Sequence, residues 1–287
     1  YNGILRAVPN PSILLSTLIQ QEADLSSRIE GTQASYKDVL DQEAGKISSD
    51  ERQENDIQEI INYRHAMINA QESLEAGRNL SLSLILELHQ QLLQSVRGAN
   101  KSPGAFRKTQ NWIGRPGYTI ENASFVPPSP MVIVTALENW EKYLSHHEID
   151  PIVQTAIMHA QFELIHPFED GNGRIGRLLI PLTLYKQNRL KTPNFYLSEI
   201  LEKNRAEYYE RLNKISSEGD WYGWVRFFLE AVKTQTELNL TKVESILELY
   251  DETKREVVLA TASQYSSALI DALFIRPIFN ATFVQEY

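Results

Sequence analysis

Apolar residues recur at helical spacing along most of the chain. Leu14, Leu15, Leu18, Ile19 and Leu25 mark a first helix behind the break at Pro9-Asn10-Pro11. Ser12 stands in capping position and Gly31 at its end. Tyr36 to Ala44 predicts a second helix, and the polar, acidic stretch from Gly45 to Gln53 a loop. Ile57, Ile60, Ile61, Tyr63, Ala66, Met67 and Ala70 give Asp56 to Ala76 an amphipathic face. Leu80 to Leu93 repeats the pattern, with Ser81 or Ser83 near its start. Val96 to Phe106 holds Gly98, Pro103 and Gly104 and reads as a loop.

The pattern changes between Arg107 and Pro128. Thr109, Trp112, Ile113, Tyr118, Thr119 and Ile120 favour strands, and Arg115-Pro-Gly117 is turn-like, which predicts a small hairpin ended by Pro127-Pro128. Helical spacing resumes from Met131 to Leu144 and from Pro151 to Ile165, the latter opening on a proline, where the missing N–H does no harm. Another helix carries Leu178, Leu179, Leu182 and Leu184, with Pro181 a potential kink. Helices are further predicted for Glu199 to Ile215, for Trp221 to Val232 behind Asp220, and for Glu237 to Leu259. The tail from Ala260 to Tyr287 reads as the opening of another small helical module. The fold class is therefore all-α with one small β-hairpin.

One stretch breaks the rhythm with chemistry. His166-Pro-Phe-Glu-Asp-Gly-Asn-Gly-Arg-Ile-Gly-Arg177 places a histidine, two acids, three glycines and two arginines between two apolar helical segments. A glycine-rich loop entering a helix N-terminus is a natural anion cradle. Gly171 and Gly173 let the backbone approach a ligand, and Asn172 can donate from its side chain. Arg174 and Arg177, three apart, share a helix face and suit a polyphosphate. Asp170 is a hard oxygen ligand of the kind that holds Mg²⁺ beside phosphates. His166 can accept a proton near neutral pH. Phe168 belongs to the core as an anchor of the loop. His159 lies in an apolar run and reads as a satisfied core histidine. With no histidine four residues from His166, a zinc site is disfavoured. No Walker-type phosphate loop and no kinase signature is present.

Composition narrows the choice. The 287 residues are 42% hydrophobic and 23% charged, as in ordinary globular proteins, and the net charge of −9 argues against general nucleic-acid or anionic-membrane binding. No cysteine is present, which excludes thiolate chemistry and fits a reducing compartment. No apolar run reaches the length of a membrane span. The expectation is a cytoplasmic protein without a membrane partner.

The long motif from His166 to Arg177 resembles the complete signature of Fic-domain proteins. Gln161-Phe-Glu-Leu-Ile165, Gln110-Asn-Trp-Ile-Gly114, Phe125-Val-Pro-Pro128 and Tyr208-Tyr209 resemble the family's surroundings of that motif, over roughly the middle two-thirds of the chain. The resemblance implies a protein adenylyltransferase that moves AMP from ATP to a Ser, Thr or Tyr hydroxyl of a target protein. It assigns His166 as general base, Asp170 to Mg²⁺, and Gly171, Asn172 and Gly173, with Gly176 beside them, to the anion nest. Arg174 and Arg177 would take the distal phosphates. Tyr208 and Tyr209, with Leu212, match positions lining the adenine pocket, although core packing accounts for the tyrosines almost as well. The hairpin resembles the flap that aligns the target segment.

Ser26-Ser-Arg-Ile-Glu30-Gly31 resembles the inhibitory motif that some Fic proteins carry in the same chain, and implies that Glu30 pairs with Arg177. On this basis residues 1–90 are an N-terminal helical region with the inhibitory motif and residues 91–235 the Fic core with flap and active-site loop. Residues 236–287 are a helical linker and the start of a winged-helix-like module. Fic proteins often associate, so a homodimer is among the expected partners. Nucleic acid enters only if a complete C-terminal module binds it. Two other readings stay open: a Fic enzyme that removes AMP or transfers another phosphate-containing group, and a nucleotide-sensing DNA- or partner-binding regulator.

Overall fold

The computed structural model describes residues 3, 16–46, 50–94, 96, 99–114, 117–146, 150–280 and 282–283. Among these the chain is helical throughout, without a named strand. The elements are α1 (Ser16–Ile29), α2 (Tyr36–Glu43), α3 (Glu51–Glu75), α4 (Leu82–Leu92), α5 (Ile133–Leu144), α6 (Pro151–Ile165), α7 (Asn172–Lys186), α8 (Ser198–Lys203), α9 (Arg205–Glu218), α10 (Trp221–Thr261) and α11 (Ser266–Ile275).

Side-chain caps set several of the starts. Ser35 and Asp38 form a reciprocal capping box at α2, Ser81 caps α4, and Asp150 accepts from the N–H groups of Ile152 and Val153 just before Pro151. Asp50 caps α3, which therefore begins inside the stretch expected to be a loop. The expected helix from Glu199 to Ile215 is two, interrupted at Asn204. Conversely, the two helices expected after Asp220 are one, α10, of 41 residues. No glycine or proline separates them, and Gln235 and Asn239 are buried partners of each other on its inner face. Helix α7 runs on through Pro181, whose missing N–H leaves the Arg177 carbonyl without its helical donor.

Helix α6 is the central rod. Its residues are buried or partly buried on all sides, as in a helix with no fully exposed face. Trp140 of α5 donates to the Met158 carbonyl from one flank, and Trp224 of α10 to the Ala156 carbonyl from the other. Two apolar clusters meet across it. One gathers Tyr63, Leu84, Ile85, Trp140, Phe162 and Phe168, and the other Ile29, Ala160, Tyr208, Trp224 and Phe228. Helix α7 packs along α6, and the link between them is the motif loop.

The expected hairpin is reduced to one antiparallel bridge, Ile113 with Phe125, and a single 3₁₀ turn at Ile120–Asn122. Trp112, Ile113, Ile120 and Val126 are exposed, so no sheet or helix covers the segment, and an isolated strand pair is marginal in water. The expected turn at Arg115 and Pro116, the arm from Tyr1 to Pro11 (Gly3 apart), Ser12, Leu14 and Leu15 lie outside the described residues. At the other end, α11 folds back onto α1: Ser16 Oγ and Gln20 Nε2 donate to the carbonyls of Phe274 and Ile275. Among the described residues the tail forms no winged-helix arrangement, and none of their helices is long and apolar enough to cross a membrane.

Candidate active site

The motif loop is folded by its own side chains. Asn172 Oδ1 accepts from Phe168 N–H at 2.8 Å, and its Nδ2 donates to the Phe168 carbonyl at 2.9 Å. Its oxygen and one of its two amide hydrogens are therefore taken up within the loop. Phe168 is fully buried, as expected, and stacks on His89 of α4 with ring centroids 3.7 Å apart. His89 Nδ1 accepts from Gly104 N–H at 3.0 Å, so Nε2 carries the proton and donates to the Asp170 carbonyl at 2.9 Å. Burial pushes the His89 pKa down to about 4, and the ring stays neutral.

His166 terminates α6 in the left-handed region, at φ 49°. A non-glycine residue there is uncommon and marks a site held by its surroundings. The ring's Nδ1–H donates to the Glu163 carbonyl at 3.3 Å, leaving Nε2 as the free acceptor. Burial lowers the His166 pKa to about 4, so the imidazole is neutral at pH 7. A neutral ring with an unprotonated Nε2 is the form a general base needs.

Gly171, at φ 81°, turns the chain into α7, and the first-turn N–H groups of that helix have no intrahelical acceptor. Asp170 lies beside that opening, its side chain 34% exposed. Its Oδ1 accepts from Gly171 N–H at 2.6 Å and from Arg174 Nη2 at 3.3 Å, while Oδ2 takes no hydrogen bond among the described residues. One accessible carboxylate next to a helix N-terminus fits Mg²⁺, which takes its remaining ligands from phosphates and water.

Neither motif arginine presents a free guanidinium. Arg174 is 1% exposed and lies 3.6 Å from buried Glu59 of α3. Arg177 is gripped from α1: its Nε donates to Ser26 Oγ at 2.9 Å, and its Nη2 to the Ser26 carbonyl at 2.9 Å and to Glu30 Oε1 at 2.7 Å. Three buried donors remain without a hydrogen-bond partner: Arg174 Nε, Arg174 Nη1 and Arg177 Nη1. Such orphans are rare and call for an acceptor. Burial opposes ionisation of Glu30, but the Arg177 guanidinium outweighs it and holds the carboxyl below its ordinary pKa.

The end of α1 is built to deliver Glu30. Gly31 N–H donates to the Arg28 carbonyl and Thr32 N–H to the Ser27 carbonyl, with Gly31 at φ 101°, the pattern of a Schellman stop. Glu30 is thereby turned against the first turn of α7. A Cβ on Gly173 would stand 2.2 Å from Glu30 Oε1, so the missing side chain at 173 is what admits the carboxylate. Gly176 has a parallel role toward Glu163, whose Oε1 would stand 2.1 Å from a Cβ there. That oxygen is buried without a partner, and burial raises the Glu163 pKa to about 8.

Tyr208 is core. Its hydroxyl donates to His159 Nε2 at 3.0 Å, while His159 Nδ1–H donates to the Gly176 carbonyl at 3.0 Å, which agrees with the core role read for that histidine. Tyr208 is 1% exposed and Leu212 is also buried, whereas Tyr209, 40% exposed, keeps an accessible ring. Sequence reasoning missed His89, Glu163 and Arg107. The last is buried at 2% exposure and donates from Nε to the His166 carbonyl at 2.8 Å. No local signal distinguishes these residues from core or surface neighbours.

Comparison with known proteins places the chain in a family. Residues 79–184 match the Fic/DOC family model and residues 1–72 the model of the Fic/DOC family N-terminal region, together more than half of the chain. The chain belongs to the Fic/DOC family. It is 30% identical over 185 residues to protein adenylyltransferase Fic of Drosophila grimshawi, covering 63% of this chain and 35% of that protein. The chain thus spans about a third of the length of the curated relatives it matches. Its fold is shared with a Fic family protein from Desulfovibrio desulfuricans G20, with TM-score 0.67 at 19% identity over 100% of this chain and 84% of that one. A Fic domain containing signaling protein from Bacteroides thetaiotaomicron gives TM-score 0.68 at 19% identity, over 85% and 95% of the two chains.

Proposed function

We propose that this chain is a protein adenylyltransferase, dependent on Mg²⁺ and held inactive by its own Glu30. The observation that carries the reading is the state of Arg177. It is a buried cation at the start of an anion-ready helix, occupied by Ser26 and Glu30 from a segment 147 residues away, with one donor still unmatched. A polyphosphate is the anion such a cluster suits.

In the proposed reaction His166 Nε2 takes the proton of a target Ser, Thr or Tyr hydroxyl. The hydroxyl oxygen forms a bond to the α-phosphorus of ATP as the bond from that phosphorus to the bridging oxygen breaks, and pyrophosphate leaves. Arg177, Arg174 and the first-turn N–H groups of α7 hold the phosphates in line. Asp170 would hold Mg²⁺, which neutralises phosphate charge. Tyr209 offers a ring face for the adenine. Such transfers depend chiefly on positioning and charge stabilisation. Glu30 competes with the distal phosphate for Arg177 and repels it, so ATP sits out of line while the lock is closed.

The test is label transfer from ATP carrying label on the α-phosphate. Glu30→Gly raises transfer to protein strongly, whereas Glu30→Gly with Arg177→Ala does not. His166→Ala in the Glu30→Gly chain abolishes transfer but keeps ATP binding. Transfer of γ-label in place of α-label would make the enzyme a phosphotransferase and overturn the proposal.

A further inference from the structure

We infer that Arg107 is a positioning residue that sets the register of the flap segment, residues 109–128, against the base His166. The inference rests on the adenylyltransferase reading for its effect on catalysis, but its structural half stands without it.

Arg107 is a buried cation without a carboxylate. Each of its three guanidinium nitrogens donates to a main-chain carbonyl, in three separate segments. Nε donates to His166 at 2.8 Å, Nη1 to Thr109 at 3.2 Å and Nη2 to Pro128 at 2.5 Å. Its own N–H donates to the Pro167 carbonyl at 2.9 Å. Thr109 and Pro128 are the two ends of the flap, and His166 opens the motif. One planar fork therefore joins both roots of the flap to the residue that carries the base.

This geometry has a reason in the flap itself. The segment has one bridge, Ile113 with Phe125, and exposed side chains on both sides of it. It cannot hold its own position by packing. Gln110 Nε2 reinforces the roots by donating to the Pro127 carbonyl at 2.8 Å, and Asn111 Nδ2 ties the flap to the Phe168 carbonyl at 3.2 Å. Any acceptor segment aligned along residues 109–128 is thereby indexed to His166 through Arg107. Arg107 Nε also constrains the His166 carbonyl, whose backbone is already in an uncommon conformation.

A lysine can keep the charge but not the fork, because one ammonium cannot span three carbonyls set around a plane. That separates positioning from mere charge burial. The experiment compares Arg107→Lys and the milder Asn111→Ala in the Glu30→Gly chain by two readouts. The first is amide hydrogen exchange. Arg107→Lys is expected to speed exchange of the Ile113 and Phe125 amides at least about tenfold, as their bridge loses its roots, with the Trp140 and Trp224 regions unchanged. The second is label transfer to protein from α-labelled ATP. The rate at saturating ATP is expected to fall about 10- to 100-fold with half-saturation within about twofold, as misplacement without lost binding requires. Asn111→Ala is expected to move both readouts the same way by less.

Unchanged flap exchange in both variants overturns the inference whatever the activity. Full rescue of transfer by lysine also overturns it, leaving Arg107 as a buried charge only. If the Glu30→Gly parent transfers no label while Arg107→Lys loosens the flap, the adenylyltransferase reading fails and the structural tie stands.

Discussion

Replacing Glu30 by alanine strips the counter-charge from Arg177, and the cost can be worked out without knowing any target. Breaking a buried pair by removing one partner costs about 3–5 kcal/mol. Two features reduce that here. The Glu30 side chain is 30% exposed, so water can reach the vacated place, and Ser26 keeps two hydrogen bonds to the guanidinium. A fall of about 2 kcal/mol is expected, or about 3–4 °C in Tm for a chain of this size. The orphaned cation should then welcome an anion. ATP at a hundred times its Kd adds about 2.7 kcal/mol, which would restore the loss. In the unaltered chain Glu30 opposes the distal phosphate, so the same ATP raises Tm by less. The assay is thermal unfolding of both chains with and without Mg²⁺ and ATP, with Arg177→Met as a third arm. Added to Glu30→Ala, that change removes the unpaired charge and should recover part of the stability while abolishing the enlarged response to ATP. Equal melting of wild type and Glu30→Ala, or an equal ATP shift in both, would refute the view that Glu30 holds Arg177 by charge.

Two further predictions follow from neighbouring groups. The Glu163 carboxyl rises from 4.5 to about 8 on folding because of burial, so the folded chain binds the extra proton between those values. Stability is then highest below pH 4.5, declines as pH rises toward 8, and the loss is complete above it. Glu163→Gln should therefore stabilise the chain more at pH 9 than at pH 6, by at most about 3 kcal/mol, as read from urea unfolding at the two pH values. An unchanged difference between the two would contradict a buried neutral acid. Gly31→Ala must place a side chain at φ 101° and should cost about 1–2 kcal/mol in thermal unfolding. It should also displace Glu30 enough to raise AMP transfer part of the way toward Glu30→Gly, and no rise would show that the stop of α1 does not aim the lock.

The parts of the site legible in the sequence were those whose chemistry is local. His166, Asp170, Gly171 and Arg177 fall within one loop and one helix turn, and the chain there has little freedom to place them elsewhere. Asn172 lies in the same loop, and its second role, holding the Phe168 backbone with its amide, was not legible there, because an amide can satisfy backbone as readily as ligand. Glu30 stands far from Arg177 in sequence, and only the resemblance of Ser26 to Gly31 connected them. Arg107, His89 and Glu163 carry no local signature, since their roles exist only once α4, α6 and the flap roots come together. The helices were legible wherever caps and apolar spacing agreed, as at Ser81 and Pro151. They were misjudged where polarity stood in for a break, as at Lys233 to Thr236 inside α10. The hairpin failed for the opposite reason: strand-forming residues were present, but no partner surface covers them.

Position 173 is committed twice. The absent side chain leaves room that a Glu30 carboxylate oxygen takes, 2.2 Å from where a Cβ would stand. The same bare turn is where a phosphate would have to come close. Bulk added there would evict the glutamate and crowd the nucleotide together, so no substitution at 173 can open the lock and leave the keyhole intact. On the proposed reading, freedom to switch this site therefore lies at and just beyond the end of α1, at Ser26, Glu30 and Gly31, and the helix that holds the chemistry has none to give.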